Sequence, residues 1–304
     1  MISRGIGCRG RSPVTPMMVS TAALAATAKA TVFDVVGRHS VSKHGTLFDF
    51  QGVQISATLR GTSAARAVMW KASDERDNHF VVWVDGQRLG GVHSFNTTDW
   101  GVGHANTVHI PLFSGLDASV PHKVIIEKSS EPAWNTFTLL KGGPRPQSAS
   151  LASTAPQTIL PNYVGFVRFE GDPGMTYGAP PKPPSRRIEF LGDSITAGFC
   201  NLGESPGDSV MDESYVASWA HLTCDSLQAQ CHTAAWSGFG MAENCCGGDT
   251  LASDVWRRTL ATVGSDSGDP HGTWGQGSPT PPTLKRSNCS NCSSLFAHAD
   301  RLRV

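Results

Sequence analysis

Apolar and polar side chains alternate with a period of two through most of the chain's first half. This restricts that half to half-buried strands and excludes amphipathic helices. Leu47-Phe48-Asp49-Phe50 and Val53-Gln54-Ile55-Ser56-Ala57-Thr58-Leu59 set the pattern. Ala67-Val68-Met69-Trp70 and Phe80-Val81-Val82-Trp83-Val84 follow. The last of these runs into Asp85-Gly86, a hairpin signal, because a two-residue turn needs positive φ at both central positions. Further strands are expected at Thr107 to Leu112, His122 to Lys128, Thr136 to Leu140 and Tyr163 to Phe169. Strands at this spacing, separated by Gly, Asn and Asp, predict an all-β sandwich over residues 32–171 with jelly-roll-like connections.

The pattern changes after residue 171. Residues 172–185 hold Pro173, Pro180, Pro181, Pro183 and Pro184, which block regular hydrogen bonding and mark a linker or docking segment. With 304 residues the chain is long for one core, and a second domain is expected beyond this point. Only 16% of residues are charged, and formal net charge is zero. That balance argues against a nucleic-acid partner, which needs clustered Lys and Arg. No apolar stretch approaches the roughly 18 residues of a membrane span.

Residues 1–30 read separately. Arg4, Arg9 and Arg11 precede a soft apolar run from Met17 to Ala28, and no acid occurs before Asp34. A basic start followed by small residues fits a secretory signal, and the same features fit an organellar transit peptide. Secretion is the expected route, and Asn96-Thr97-Thr98 is a compatible glycosylation sequon. Eight cysteines are too few for a disulfide scaffold of this size, and none lies between Cys8 and Cys200. Disulfides are therefore expected in the second half. Cys289 and Cys292 form a Cys-x-x-Cys without the second pair that a zinc site needs, so neither metal nor cofactor is expected.

The chemistry concentrates in Arg186-Arg187-Ile188-Glu189-Phe190-Leu191-Gly192-Asp193-Ser194-Ile195-Thr196. Ile188 to Leu191 reads as a short buried strand, and Ser194 sits where the chain turns from it into a helix. In an open α/β sheet this carboxyl end of a strand is where catalytic groups stand. A serine here is also an ordinary helix N-cap candidate. Residues 212–228 carry Tyr215, Val216, Trp219, Leu222 and Leu227 near a helical stripe. His232 to Trp236 then reads as a second buried strand ending in Ser237-Gly238-Phe239-Gly240-Met241.

Gly192-Asp193-Ser194-Ile195-Thr196 resembles the first block of the SGNH hydrolases, and Ser237 to Met241 resembles their second. The preceding Arg-Arg-Ile-Glu-Phe and the sandwich before it are similar to carbohydrate esterase family 2. The resemblance implies a partial flavodoxin-like α/β SGNH domain over 186–262, with a tail over 263–304 that matches nothing in the family. It implies Ser194 as nucleophile and Gly238 as an oxyanion donor, with Gly240 as the alternative. It also implies removal of acetyl groups from plant or algal cell-wall polysaccharide. The family's Gly-x-Asn-Asp and Asp-x-x-His blocks do not follow Met241. His271, two residues after Asp269, and His298 are the histidines left to act as base, so little turnover is expected from this chain. The expectation from another class is a non-catalytic carbohydrate-binding sandwich, with Trp70, Trp83, Trp100 and Trp134 as a stacking platform.

Overall fold

The computed structural model describes residues 33–74, 77–132, 161–179, 184–203, 212–244, 251–256 and 258–263. Two antiparallel sheets account for the first half. One contains β1 (Asp34–Val36), β4 (Gln54–Arg60), β6 (His79–Val84), β7 (Gln87–Leu89) and β10 (His122–Lys128), in the order β1-β4-β10-β6-β7. Two short strands join it: β8 (Phe95–Asn96) on β6 and β12 (Thr176–Tyr177) on β4. The other sheet runs β2-β3-β11-β5-β9, from β2 (Ser40–Ser42), β3 (Gly45–Phe48), β5 (Ala65–Lys71), β9 (Val108–Phe113) and β11 (Val164–Gly171).

The core between them follows from the alternation. In β4 Ile55, Ala57 and Leu59 are buried while Gln54, Ser56 and Thr58 are half-buried. They meet Met69, Phe80, Val124, Phe166 and Phe169 in one cluster. The Asp85-Gly86 turn takes φ of 50° and 80°, as the two-residue connection of β6 to β7 requires. The expected strand at Thr136 to Leu140 and Trp134 lie outside the described residues, as do residues 1–30 and 264–304.

Of the four tryptophans offered as a sugar platform, two lie inside the fold. Trp70 is buried and donates its Nε1 hydrogen to the His44 carbonyl at 3.0 Å, and Trp100 belongs to the core. Within the Pro-rich segment, Thr176–Tyr177 pairs with β4 as β12. Asp172 Oδ2 accepts from both the Ser63 amide (2.6 Å) and the Ser63 hydroxyl (2.8 Å). This part of the segment is therefore docked along the sandwich.

After it, β13 (Arg187–Gly192) and β14 (Gln230–Ala235) form a parallel pair, with Ile188 opposite Cys231 and Gly192 opposite Ala235. Helix α1 (Ser194–Ala197), a 3₁₀ turn (Tyr215–Ala217) and helix α2 (Trp219–Leu227) lie between the two strands, and α3 (Ala252–Val255) follows. The helix is shorter than the stripe over 212–228 suggests, because Ser218 caps it, accepting from the His221 amide. Its buried face is also the opposite one: Ala220 and His221 are inside, whereas Trp219, Leu222 and Leu227 are exposed. A Cys224–Cys231 disulfide ties α2 to β14, and no described helix is long and apolar enough to cross a membrane.

The core is continuous across both halves, since Ala234, Trp236, Val255 and Ala261 belong to the same cluster as the sandwich residues. Buried polar groups seal the junction. Arg38 reaches the Trp256 and Arg258 carbonyls and pairs with Glu189, while Asp49 accepts from Ala261 N–H (2.9 Å), Thr262 N–H (2.8 Å) and the Thr262 hydroxyl (2.8 Å). At the end of β10 the alternation fails: Glu127 and Lys128 are both buried, because this end of the sheet meets the second half.

Two predictions concern stability. The His122 Nδ1 lies 2.8 Å from Asp85 Oδ2, and Nε2 lies 2.9 Å from the Asp117 carbonyl. Both partners only accept, so this geometry favours the doubly protonated ring. The bond to Asp85 raises its pKa against an opposing effect of burial. A raised folded pKa adds stability below the unfolded value of about 6.5, lost as pH climbs through the folded one. Urea midpoints of the native chain should therefore fall from pH 5.5 to 8.5 by more than those of His122→Asn. Opening the seven-residue Cys224–Cys231 loop by Cys231→Ser should cost about 2 kcal/mol, read from the same denaturation curves.

Candidate active site

The parallel register brings the ends of β13 and β14 side by side, and the Trp236 amide still donates to the Gly192 carbonyl at 3.2 Å. Just beyond these ends lies a cleft of about 420 Å³. Its wall holds Asp193 and Ile195, on either side of Ser194, together with Trp236, Phe239 and Gly240, around Gly238. The sequence segments singled out for chemistry therefore converge on one cavity. Most of the lining is apolar, including Trp219, Met241 and Trp256.

Local sequence explains how Ser194 is presented. Gly192 ends the strand under Thr196, and a Cβ there would lie 2.1 Å from Thr196 Oγ1. Asp193 is the N-cap, accepting from the Ile195 amide at 3.1 Å, so Ser194 is the first helical residue. Gly198, with φ of 85°, ends the turn, and its amide and that of Phe199 return to the Ser194 carbonyl. The capping role that a serine could have had here belongs to Asp193. The Ser194 hydroxyl has no hydrogen-bond partner among the described residues.

The turn after β14 is pinned at several points. The Ser237 amide donates to Glu131 Oε2 at 2.6 Å, the Phe239 amide to the Trp236 carbonyl at 3.2 Å, and the Gly240 amide to Asn244 Oδ1 at 2.9 Å. Gly240 is thus engaged. Gly238, at φ of 81°, has an amide without an acceptor among the described residues. Trp236 and Phe239 stack at 4.3 Å on the cleft side.

No described histidine bonds to Ser194, and His271 and His298 lie outside the described residues. His221 is buried with Nδ1 3.2 Å from Glu127 and Nε2 3.2 Å from Asp225. Burial alone would lower its pKa, but the two carboxylates hold it above the usual histidine value. Among the described residues no group of three His, Cys, Asp or Glu side chains could hold a metal ion. Sequence reasoning missed Gln51, Glu127 and Glu131. A polar run such as Glu127-Lys128-Ser129-Ser130-Glu131 reads as an exposed loop until a second layer covers it.

Comparison with known proteins places the chain. It is 40% identical over 218 residues to the cellulase/esterase CelE of Acetivibrio thermocellus, an alignment covering 71% of this chain and 22% of that protein. A family two carbohydrate esterase from Clostridium thermocellum, solved with cellohexaose, matches at 25% identity and a TM-score of 0.58. That match covers 76% of this chain and 60% of the other. The chain belongs to carbohydrate esterase family 2. The acetyl xylan esterase Est2A of Butyrivibrio proteoclasticus shares the fold, with 19% identity and a TM-score of 0.54 over 76% of this chain and 53% of that one. The chain thus spans about a fifth of its curated relative's length and under two thirds of these solved structures. No family model matches it.

The packing of Gly192 yields a prediction about this esterase-family site. Gly192→Ala drives a Cβ into the buried Thr196 side chain and should destabilise the chain by about 1–3 kcal/mol, read from the urea midpoint. An unchanged midpoint would mean that α1 can move off the strand.

Proposed function

We propose that the chain is a carboxylic ester hydrolase acting on acetylated cell-wall polysaccharide, with Ser194 as its nucleophile. Residues 32–171 serve as the sandwich domain, 172–185 as the connecting segment, and 186–262 as the opening part of an α/β SGNH domain. The observation that carries this reading is the position of Gly192-Asp193-Ser194. The block stands at the carboxyl end of a parallel strand and beside a cleft, in a chain of carbohydrate esterase family 2.

In the reaction Ser194 Oγ attacks the ester carbonyl and a base takes its proton. The resulting tetrahedral oxyanion receives the Gly238 and Ser194 amides, and collapse expels the sugar hydroxyl, leaving an acetyl-serine that water hydrolyses. A single oxyanion donor contributes about 10²- to 10³-fold. Acetylated xylan or glucan as substrate is supported by the relatives, one an acetyl xylan esterase and another solved with cellohexaose. Secretion is supported by the Cys224–Cys231 disulfide, which persists in an oxidising compartment.

The sequence after Met241 contains neither Gly-x-Asn-Asp nor Asp-x-x-His. In a serine triad, loss of the base alone costs about 10⁶-fold. Turnover of 4-nitrophenyl acetate by the purified chain is therefore expected to be low. Added imidazole, acting as the base, should raise it above the solution reaction, and Ser194→Ala should remove that increment. Robust Ser194-dependent turnover without imidazole would mean that His271, His298 or a sandwich histidine supplies the base. Binding of xylan or glucan with no Ser194-dependent reaction in either condition would favour a non-catalytic carbohydrate-binding protein.

A further inference from the structure

The turn that would supply the oxyanion donor is held only in part by its own half of the chain. Its Ser237 amide ends on Glu131, a sandwich side chain that is 1% exposed, and the strand before it is held through Gln51 Nε2, which donates to the Ala235 carbonyl at 2.9 Å. Glu131 is itself fixed. Its amide donates to the buried Glu213 carboxylate, and Lys128 Nζ donates to its carbonyl at 3.1 Å and to the Ser130 carbonyl at 2.5 Å. A carboxylate accepting from a backbone amide makes a charge-assisted bond of about twice the ordinary strength.

This geometry bears on the neighbouring amide. With Ser237 N–H directed onto Glu131 and Phe239 N–H folded back onto Trp236, Gly238 is left as the amide between two fixed peptide planes. Its φ is positive, at 81°. We infer that Glu131 is a positioning residue that orients the Gly238 amide toward the reacting carbonyl, with Gln51 as a second brace on the strand below. The inference rests on the esterase reading above and adds a role for the sandwich: it completes the oxyanion site of the other half.

The test uses the full chain and two readouts. In ¹⁵N-labelled protein, Glu131→Gln should move the Ser237 amide proton upfield by roughly 0.5 ppm or more, because the bond loses its charge. The Gly238 amide should shift with it. In imidazole-supported hydrolysis of 4-nitrophenyl acetate, the same variant should lose about tenfold in kcat with KM unchanged, the signature of a misplaced transition-state donor. His122→Asn, destabilising but remote from the turn, should leave kcat intact and so separates positioning from stability. If Glu131→Gln does not fold, Gln51→Leu tests the second brace by the same readouts. An unmoved Gly238 amide, or an unchanged kcat in a variant whose Ser237 amide has moved, would overturn the inference. Absence of any Ser194-dependent turnover in the native chain would instead overturn the esterase reading, and the amide shifts would still decide whether Glu131 orients the turn.

Discussion

Asp49 accepts three hydrogen bonds from Ala261 and Thr262, more than 200 positions later in the chain, and Glu131 accepts one from Ser237 across a separation of 106. Arg38 answers in the other direction, donating to Trp256 and Arg258 and pairing with Glu189. The Asp49, Glu131 and Arg38 side chains are almost fully buried. A buried charge deprived of its partner costs about 3–5 kcal/mol, so each contact tolerates little displacement. The junction between the sandwich and the parallel pair is therefore a specified interface with fixed geometry. The continuous apolar core adds adhesion, and the polar contacts set the register in which the two halves meet.

That register matters because the cleft lies at the junction. Phe50 comes from the sandwich, Leu191 and Gly192 from β13, Ala234 and Ala235 from β14, and Val255 and Trp256 from the last described helix and its end. No single element makes the cavity. The serine is presented by a tight strand-to-helix turn with its own cap, whereas the turn bearing Gly238 is also braced from outside, by Glu131.

Much of the sandwich was legible from sequence, because period-two alternation has one physical meaning when one face of a sheet is buried. The Asp85-Gly86 hairpin and the strands β4, β6, β10 and β11 follow from it directly. The tryptophans were ambiguous in sequence, since aromatic residues on strands suit both a core and a sugar platform; Trp70 and Trp100 fill space inside the fold. Helix α2 inverted its stripe: His221 faces inward against Glu127, and Trp219 and Leu222 lie outside. The strand-to-helix turn at Ser194 was legible because a Gly-Asp-Ser turn after an apolar run is local. Glu131 and Gln51 were not, because their partners are distant in sequence and only the docked structure reveals them.

The two parallel strands are unequally covered. Every residue of β14 is buried, whereas β13, which precedes it in the chain, is half-buried along most of its length and exposed at Glu189. The later strand is thus the inner one, lying against the sandwich, and the earlier strand rests on its outer edge. Local order in the chain therefore runs opposite to order from the core. A parallel pair closed over some forty residues has little local contact to nucleate it, and its loop-closure entropy must be met before pairing helps. The sandwich, emerging first in synthesis, provides a finished surface on which β14 can settle and β13 can then be added. In kinetic terms the first half is placed to act as an intramolecular template for the strand that leads into Ser194.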